Sequence, residues 1–291
     1  MSSPQPTILA PLPASARSLV FGLRGGGDPR EGLRALLASF DLERSTLGLG
    51  EPLVHALGAS IAGLRSFPTL EGSRVTPPST QGALWLNLRG GDRGELDDRA
   101  RAARELLGSA FVLADDTECF VYRGGLDLTG YEDGTENPTD EAAVEAAVSR
   151  AEGLEGSSFV AVQRWVHELT SFRARTERER DHTIGRALAT NEELDDAPES
   201  AHVKRTAQES FEPAAFMVRR SMPFLTQTEA GLLFVAYGES LDRYERVLRR
   251  MVGLEDGVVD ALFSFSRPVS GGYYWCPAMH GAKLALSALG L

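Results

Sequence analysis

The residues best placed to do chemistry are two carboxylates in a glycine-rich run, one isolated histidine and one arginine. Residues 124–138, GGLDLTGYEDGTENP, surround Asp127 and Asp133 with small and turn-forming residues. The run stops at Asn137-Pro138, because proline lacks a donor and restricts the residue before it. Glycine tolerates close backbone approach, so the loop can wrap something flat or anionic and present Asp133 to it; a surface turn between domains is the plain alternative. Histidines number five: His55, His167, His182, His202 and His280. None forms HExxH or another close pair suited to zinc. His55 lies at apolar helical spacing, His167 ends a strand where a structural hydrogen bond is the common use, His182 stands among Arg and Glu, and His280 lies near the C-terminus.

His202 differs, because AHVKR follows the acidic, turn-rich NEELDDAPES and so marks a loop entering an ordered element. A lone neutral imidazole there can bind haem iron if an acid or carbonyl fixes its other nitrogen; an ordinary histidine is the other reading. FMVRRSMPF (216–224) supplies the arginine. On a strand Arg219 and Arg220 face opposite ways, so one can point inward while the other reaches solvent or a salt bridge. An inward guanidinium stays charged and offers a forked donor to a peroxide, carboxylate or propionate. In a redox site the histidine would hold iron, Asp133 would shuttle a peroxide proton and Arg219 would stabilise the developing anion. The same trio could serve a hydrolase.

These residues need elements to position them. Residues 1–14 read as a Pro-rich arm, either loose or lying across a partner subunit. Residues 18–23 are a short strand closed by a glycine run that lacks the Lys-Ser/Thr pair of a phosphate loop. A helix over 29–40, a weak strand and helix within 41–63, and a Pro/Ser/Thr-rich loop over 68–82 come next. Residues 83–88 alternate like a strand and 95–107 form an amphipathic helix. Residues 109–122 read as a strand, a turn at Asp115-Asp116-Thr117 and a second strand. A helix over 141–155 separates two domains near residue 150. The second half repeats the order: strand 158–167, a charged helix within 169–185, strands at 215–220 and 231–237, a helix over 241–252, and an aromatic, glycine-containing tail. The fold class is α+β, with a hint of duplication.

Composition narrows the classes. The chain has 291 residues, 42% of them hydrophobic, which supports a real core and excludes global disorder. A formal net charge of -11 without a sustained Lys/Arg run argues against nucleic acid as a partner. No stretch approaches the roughly 20 apolar residues of a membrane helix, and the N-terminus lacks a secretory signal, so no membrane role and a cytoplasmic location are expected. Cys119 and Cys276 make no metal-spacing motif and read as reduced core thiols.

GLDLTGYEDGTENP (125–138), with its embedded GxxDG at 130–134, resembles the defining motif of the dye-decolourising (DyP-type) haem peroxidases. SFVAVQRWVHEL (158–169), TIGRALATNEELDD (183–196), AHVKR (201–205), FMVRRSMPF and FSRPVSGGYY (265–274) follow in that family's order. The nearest subgroup is similar to the compact bacterial cytoplasmic branch. The resemblance implies duplicated ferredoxin-like domains with antiparallel sheets and peripheral helices, the first over 1–150 with the GxxDG loop and the second over 151–291 with the haem. It implies one haem b per chain, His202 as proximal iron ligand, and Asp133 and Arg219 as the distal catalytic pair, Arg219 also contacting the cofactor site. Ser221 matches a small polar position that helps hold distal water. An acid behind the proximal histidine is not assigned: Ser264 stands where some relatives carry Asp, and Asp260 and Glu212 are weak substitutes.

The implied activity is reduction of hydrogen peroxide to water, with one-electron oxidation of dyes or other small donors. Bulky dyes would stay outside, so Trp165, Tyr131, Tyr273, Tyr274 and Trp275 are candidates to carry an electron to the surface, unless they are core packing. The resemblance also implies a homo-oligomer. Encapsulation in a protein shell is not favoured, since MHGAKLALSALGL (279–291) lacks a long flexible linker. A haem carrier or iron-handling protein with incidental peroxidase activity, a chlorite-dismutase-like protein and a non-enzymatic module are the competing readings. An ordinary carboxyl titrates at about 4, so a proton acceptor at Asp133 predicts that the reaction with peroxide persists into mildly acidic solution. The rate of that reaction against pH checks this; an essential group titrating near neutrality would count against Asp133.

Overall fold

Along the strands successive side chains alternate between two buried clusters, and the strand pairing repeats one pattern twice. The computed structural model describes residues 2–71 and 74–291. Its first half runs β1 (Ser2–Ser3), α1 (Pro6–Leu9), β2 (Ser15–Leu23), α2 (Pro29–Leu37), β3 (Ser45–Leu49), α3 (Glu51–Ala56), β4 (Leu84–Gly90), α4 (Arg93–Leu107), β5 (Phe111–Phe120) and α5 (Asp140–Ala147). The second half runs β6 (Ser158–His167), α6 (Leu169–Arg173), α7 (Glu177–Ile184), α8 (His202–Arg205), β7 (Val218–Arg219), β8 (Met222–Leu225), β9 (Ala230–Gly238), α9 (Leu241–Met251), β10 (Ser266–Pro268), β11 (Gly272–Cys276), β12 (Met279–His280) and β13 (Lys283–Leu284).

In the first half the sheet order is β3-β4-β2-β5; in the second it is β8-β9-β6-β11. Each half is therefore a βαββαβ unit with its first strand between the third and fourth, the ferredoxin-like order twice. β7 and β8 lie in succession along one edge of β9, and β10 and β11 along one edge of β6. Two seams join the halves, through Cys119 opposite Phe224 and Trp275 opposite Leu49. The result is a closed antiparallel barrel, which leaves no long free edge.

Alternation then decides the two faces. Trp85, Val160, Val235, Tyr237 and Tyr274 fill one cluster with both cysteines. The Trp85 indole there donates to Ser18 Oγ at 2.9 Å. The opposite faces pack beneath helices. α2 starts at Asp28, which accepts from Arg30 N, and buries Leu33 and Leu36. α9 lays Leu241, Tyr244, Val247, Leu248 and Met251 against the second half's sheet. Cys119 and Cys276 are buried free thiols, as expected, and burial raises both above the ordinary thiol range.

Several elements differ from the sequence reading. Residues 111–120 form one continuous strand, with no turn at Asp115-Asp116-Thr117. Both acids find partners on the strand: Arg17 forks onto Asp116 at 2.7 and 2.9 Å, and Thr117 Oγ1 donates to Asp115 at 2.7 Å. The 141–155 helix ends at Ala147, the 169–185 region is two short helices, and the 215–220 strand shrinks to Val218–Arg219. The loop over 68–82 holds no helix or strand among its described residues; 72 and 73 lie outside them. The N-terminal arm packs on its own chain. Gln5 is fully buried, donates to Leu47 O at 2.9 Å and accepts from Leu47 N at 2.8 Å. Among the described residues no helix is long and apolar enough to cross a membrane.

Candidate active site

His202 opens the four-residue helix α8, and its side chain is held by a buried acid. Its Nδ1–H donates to Asp260 Oδ2 at 2.7 Å, and the Asp260 side chain is wholly buried. Asp260 is fixed in turn, since its Oδ1 accepts from Leu262 N at 2.8 Å and its own N–H donates to Met251 O at 2.8 Å. Arg205, one turn after His202, forks onto Asp256 at 2.7 Å through both terminal nitrogens and donates to Arg250 O at 2.9 Å. α8 is thereby tied to the end of α9. With Nδ1 engaged, Nε2 is the nitrogen left for a ligand in the cleft that His202 lines.

Asp133 and Arg219 line the same cleft, with Arg219 Nη1 3.9 Å from Asp133 Oδ1. That separation is long for a direct hydrogen bond, so both groups keep capacity for a third partner. Arg219 Nε is enclosed without a protein acceptor. The loop is tied to β7 by Asn137, whose Oδ1 accepts from Arg219 N at 2.8 Å while its Nδ2 donates to Arg219 O at 3.1 Å. Gly134 permits this, because its φ of 84° is left-handed and a Cβ there would lie 2.7 Å from Asn137 Nδ2. Glycine and asparagine in DGTEN thus set Asp133 and Arg219 against each other. Arg220 faces the other way, as alternation predicts, and donates to Ala10 O and Leu9 O at 2.9 and 3.0 Å.

The loop's other acid, Asp127, has a different task. Its Oδ2 accepts from Thr129 N at 2.8 Å and Thr129 Oγ1 at 2.5 Å, and its Oδ1 accepts from His167 Nε2 at 3.2 Å. Ser266 Oγ lies 2.7 Å from His167 Nδ1. Burial alone would raise the Asp127 carboxyl, but the hydrogen bond and charge of His167, with both Thr129 donors, hold it below the ordinary carboxylate range. The expected structural role of His167 is therefore specific: it pins the loop to the end of β6.

The cleft holds about 930 Å³ with its mouth. Ile184, Leu232, Phe234, Val247, Met251 and Phe265 give it apolar walls. Among the described residues no group of three or more His, Cys, Asp or Glu side chains could hold a bare metal ion. Iron held by His202 would have to bring ligands of its own. Apolar walls, one available imidazole nitrogen and an enclosed, unpartnered Arg219 Nε fit a flat macrocycle carrying iron and anionic groups. The Gln163 amide nitrogen, also unpartnered and lining the cleft, is a further free donor.

Ser221 is not brought into this cleft. It is buried in the wall of a smaller adjoining cavity, which it shares with Asp133, Arg219, Asn137 and Arg220. Of the acids weighed behind His202, Asp260 makes the contact. Ser264 instead accepts from Arg175 at 3.0 Å. Asp260 is not assignable from local sequence because its partner is 58 residues away; the one local signal is Asp260 followed two residues later by the Leu262 amide that it caps. His182 and His280 stand apart, paired with Asp196 at 3.4 Å and Ser2 at 2.7 Å.

Comparison with known proteins bears on this geometry. The family model described as Dyp-type peroxidase, C-terminal, matches residues 125–281. The chain is 30% identical to the dye-decolorizing peroxidase of Mycobacterium tuberculosis, covering 95% of this chain and 89% of that one. It is also 30% identical to the dye-decolorizing peroxidase of Mycolicibacterium paratuberculosis, covering 95% and 84%. DyPB from Rhodococcus jostii RHA1 superposes with a TM-score of 0.86 at 27% identity, over 94% of this chain and 96% of that one. A variant of the same R. jostii protein, solved in complex with heme, superposes with a TM-score of 0.87 at 27% identity and the same coverage.

The depressed Asp127 carboxyl has a consequence for folding. A group whose folded pKa lies below its unfolded value adds stability that is full above the unfolded pKa and is lost as pH falls through the folded one. Asp127→Asn should therefore lower stability by about 1–3 kcal/mol at neutral pH, with the difference from wild type shrinking below about pH 4. Urea unfolding at several pH values checks this. A difference that does not change with pH would show that the charge at 127 contributes nothing.

Proposed function

The chain belongs to the Dyp-type peroxidase family, and we propose that it is a haem peroxidase that reduces hydrogen peroxide and oxidises dyes or other one-electron donors. The observation that carries this reading is an apolar cleft lined together by an acid-anchored imidazole, His202, and by the Asp133–Arg219 pair. Heme in a related R. jostii structure of the same fold supports the choice of cofactor. Haem b would supply the redox chemistry, which is cleavage of the peroxide O–O bond and one-electron oxidation of donors.

The chain's own residues do the rest. His202 offers Nε2 to iron, and Asp260 fixes the tautomer and ring orientation and raises the basicity of that nitrogen. Isoleucine, leucine, valine and phenylalanine side chains of the cleft hold the macrocycle and exclude water. Asp133 accepts the proton from one peroxide oxygen and returns it to the other, the departing one. Arg219 faces the charge that develops on the departing oxygen, and Asn137 keeps its backbone from shifting. Ser221, in the adjoining cavity behind Arg219, is the residue proposed to hold water there.

The test separates proton transfer from cofactor binding. Asp133→Asn should slow the reaction of the haem-loaded protein with peroxide by about 10²–10⁴-fold while leaving haem uptake intact. Arg219→Gln should slow it in the same direction. Stopped-flow absorption gives the rate and a haem titration gives the occupancy. An Asp133→Asn protein reacting at the parental rate would remove Asp133 from the mechanism.

A further inference from the structure

The GxxDG loop has a second, outer face. There Tyr122, Arg123, Leu128, Arg173, Arg180 and Leu188 line an open pocket together with Thr129 and Gly130 of the loop. Thr129 lines both this pocket and the cleft, so the loop is a thin partition between them. No carboxylate lines the pocket, although the chain as a whole carries a net charge of -11. None of the three arginines makes an ion pair among the described residues. Arg173 donates only to Leu128 O at 3.1 Å, Arg123 lies over the Tyr122 ring at 5.1 Å, and Arg180 Nε is enclosed without an acceptor. Arg123 also holds a φ of 44°, which non-glycine residues rarely adopt. A local inversion of charge beside an aromatic ring gathers anions with flat apolar bodies.

Tyr131 is linked to both sides of the partition. It lines the cleft, and its phenol donates to Asp181 Oδ1 at 2.5 Å. The same oxygen accepts from the N–H of Leu188, a residue of the outer pocket, at 3.1 Å. Oxidising a buried phenol requires somewhere for its proton. Of the five aromatic residues considered as electron carriers, Tyr131 has a carboxylate in that place. Trp165 donates to the Gln163 amide, Tyr274 meets the Gly82 backbone, and Tyr273 OH and Trp275 Nε1 have no partner.

We propose that the arginine-lined pocket docks anionic aromatic electron donors, such as arylsulfonates, and that Tyr131 passes their electrons through the loop to the cleft. The second half of this rests on the peroxidase reading, with hydrogen peroxide as the oxidant. Tyr131 loses one electron toward the cleft and its phenolic proton to Asp181, leaving a neutral phenoxyl. The docked donor then gives one electron to the phenoxyl as Asp181 returns the proton. Two such transfers match the two oxidising equivalents of one peroxide molecule.

Binding is read without peroxide, so docking stands or falls apart from the peroxidase reading. Calorimetric titration of the haem-loaded protein with 2-naphthalenesulfonate should saturate at one per chain. Arg123→Gln/Arg180→Gln should weaken it at least tenfold, and neutral 2-naphthol should bind the parent and the variant alike. Arg123→Gln alone, which removes no hydrogen bond within the protein, should weaken it in the same direction. No saturable binding, or equal affinity in parent and variants, would overturn the docking site. For the electron path, one equivalent of peroxide without donor should give a tyrosine radical by electron paramagnetic resonance. That signal should be lost in Tyr131→Phe and diminished in Asp181→Asn; an undiminished signal in Tyr131→Phe would overturn the assignment.

Discussion

One hydrogen bond fixes which imidazole nitrogen is left for the cleft: His202 Nδ1–H donates to the buried Asp260 carboxylate at 2.7 Å. An imidazole has two nitrogens, and a ligand needs one of them unprotonated and aimed at the metal. Asp260 claims Nδ1 and so leaves Nε2 for the cleft. The bond is dependable because neither partner is free to turn. Asp260 is held by Leu262 N and Met251 O, and Ala261 N donates to Ser200 O at 2.7 Å, so the segment that carries the acid is laced to the one before the histidine.

The rest of the architecture brings the opposite wall to that imidazole. Two ferredoxin-like halves close into one barrel, and the chain leaving the first half at β5 runs directly into the glycine-rich loop. The loop then reaches the second half's sheet at two places: Asp127 on His167 at the end of β6, and Asn137 on the Arg219 backbone of β7. Each contact uses a loop side chain on the end residue of a strand, the imidazole of His167 and the main chain of Arg219. The acid at 133 and the arginine at 219 are therefore brought together by these two anchors, without a direct hydrogen bond between their side chains.

Much of this is legible in the sequence alone. β6 and β9 carry alternating or continuous apolar residues, which place both strands at nearly their observed lengths. Asp133 and Arg219 sit in distinctive local settings, a glycine loop and a strand with adjacent arginines. What escaped depended on distant partners. The acids of β5 imitate a turn because a sequence does not show Arg17 reaching across the sheet to Asp116. Gln5 looks like part of a loose arm until Leu47 supplies both of its hydrogen bonds. Asp260 is an ordinary helix-start acid in the sequence, and only the approach of α8 gives it a second bond.

Ligation by His202 is tested most directly by the absorption spectrum of the haem-reconstituted protein beside that of His202→Ala. The parent should take up one haem per chain with the spectrum of a histidine-ligated iron. The alanine protein should lose that spectrum and regain it when free imidazole is added. Identical spectra for the two proteins would place the iron elsewhere and contradict the role given to His202 and the acid behind it.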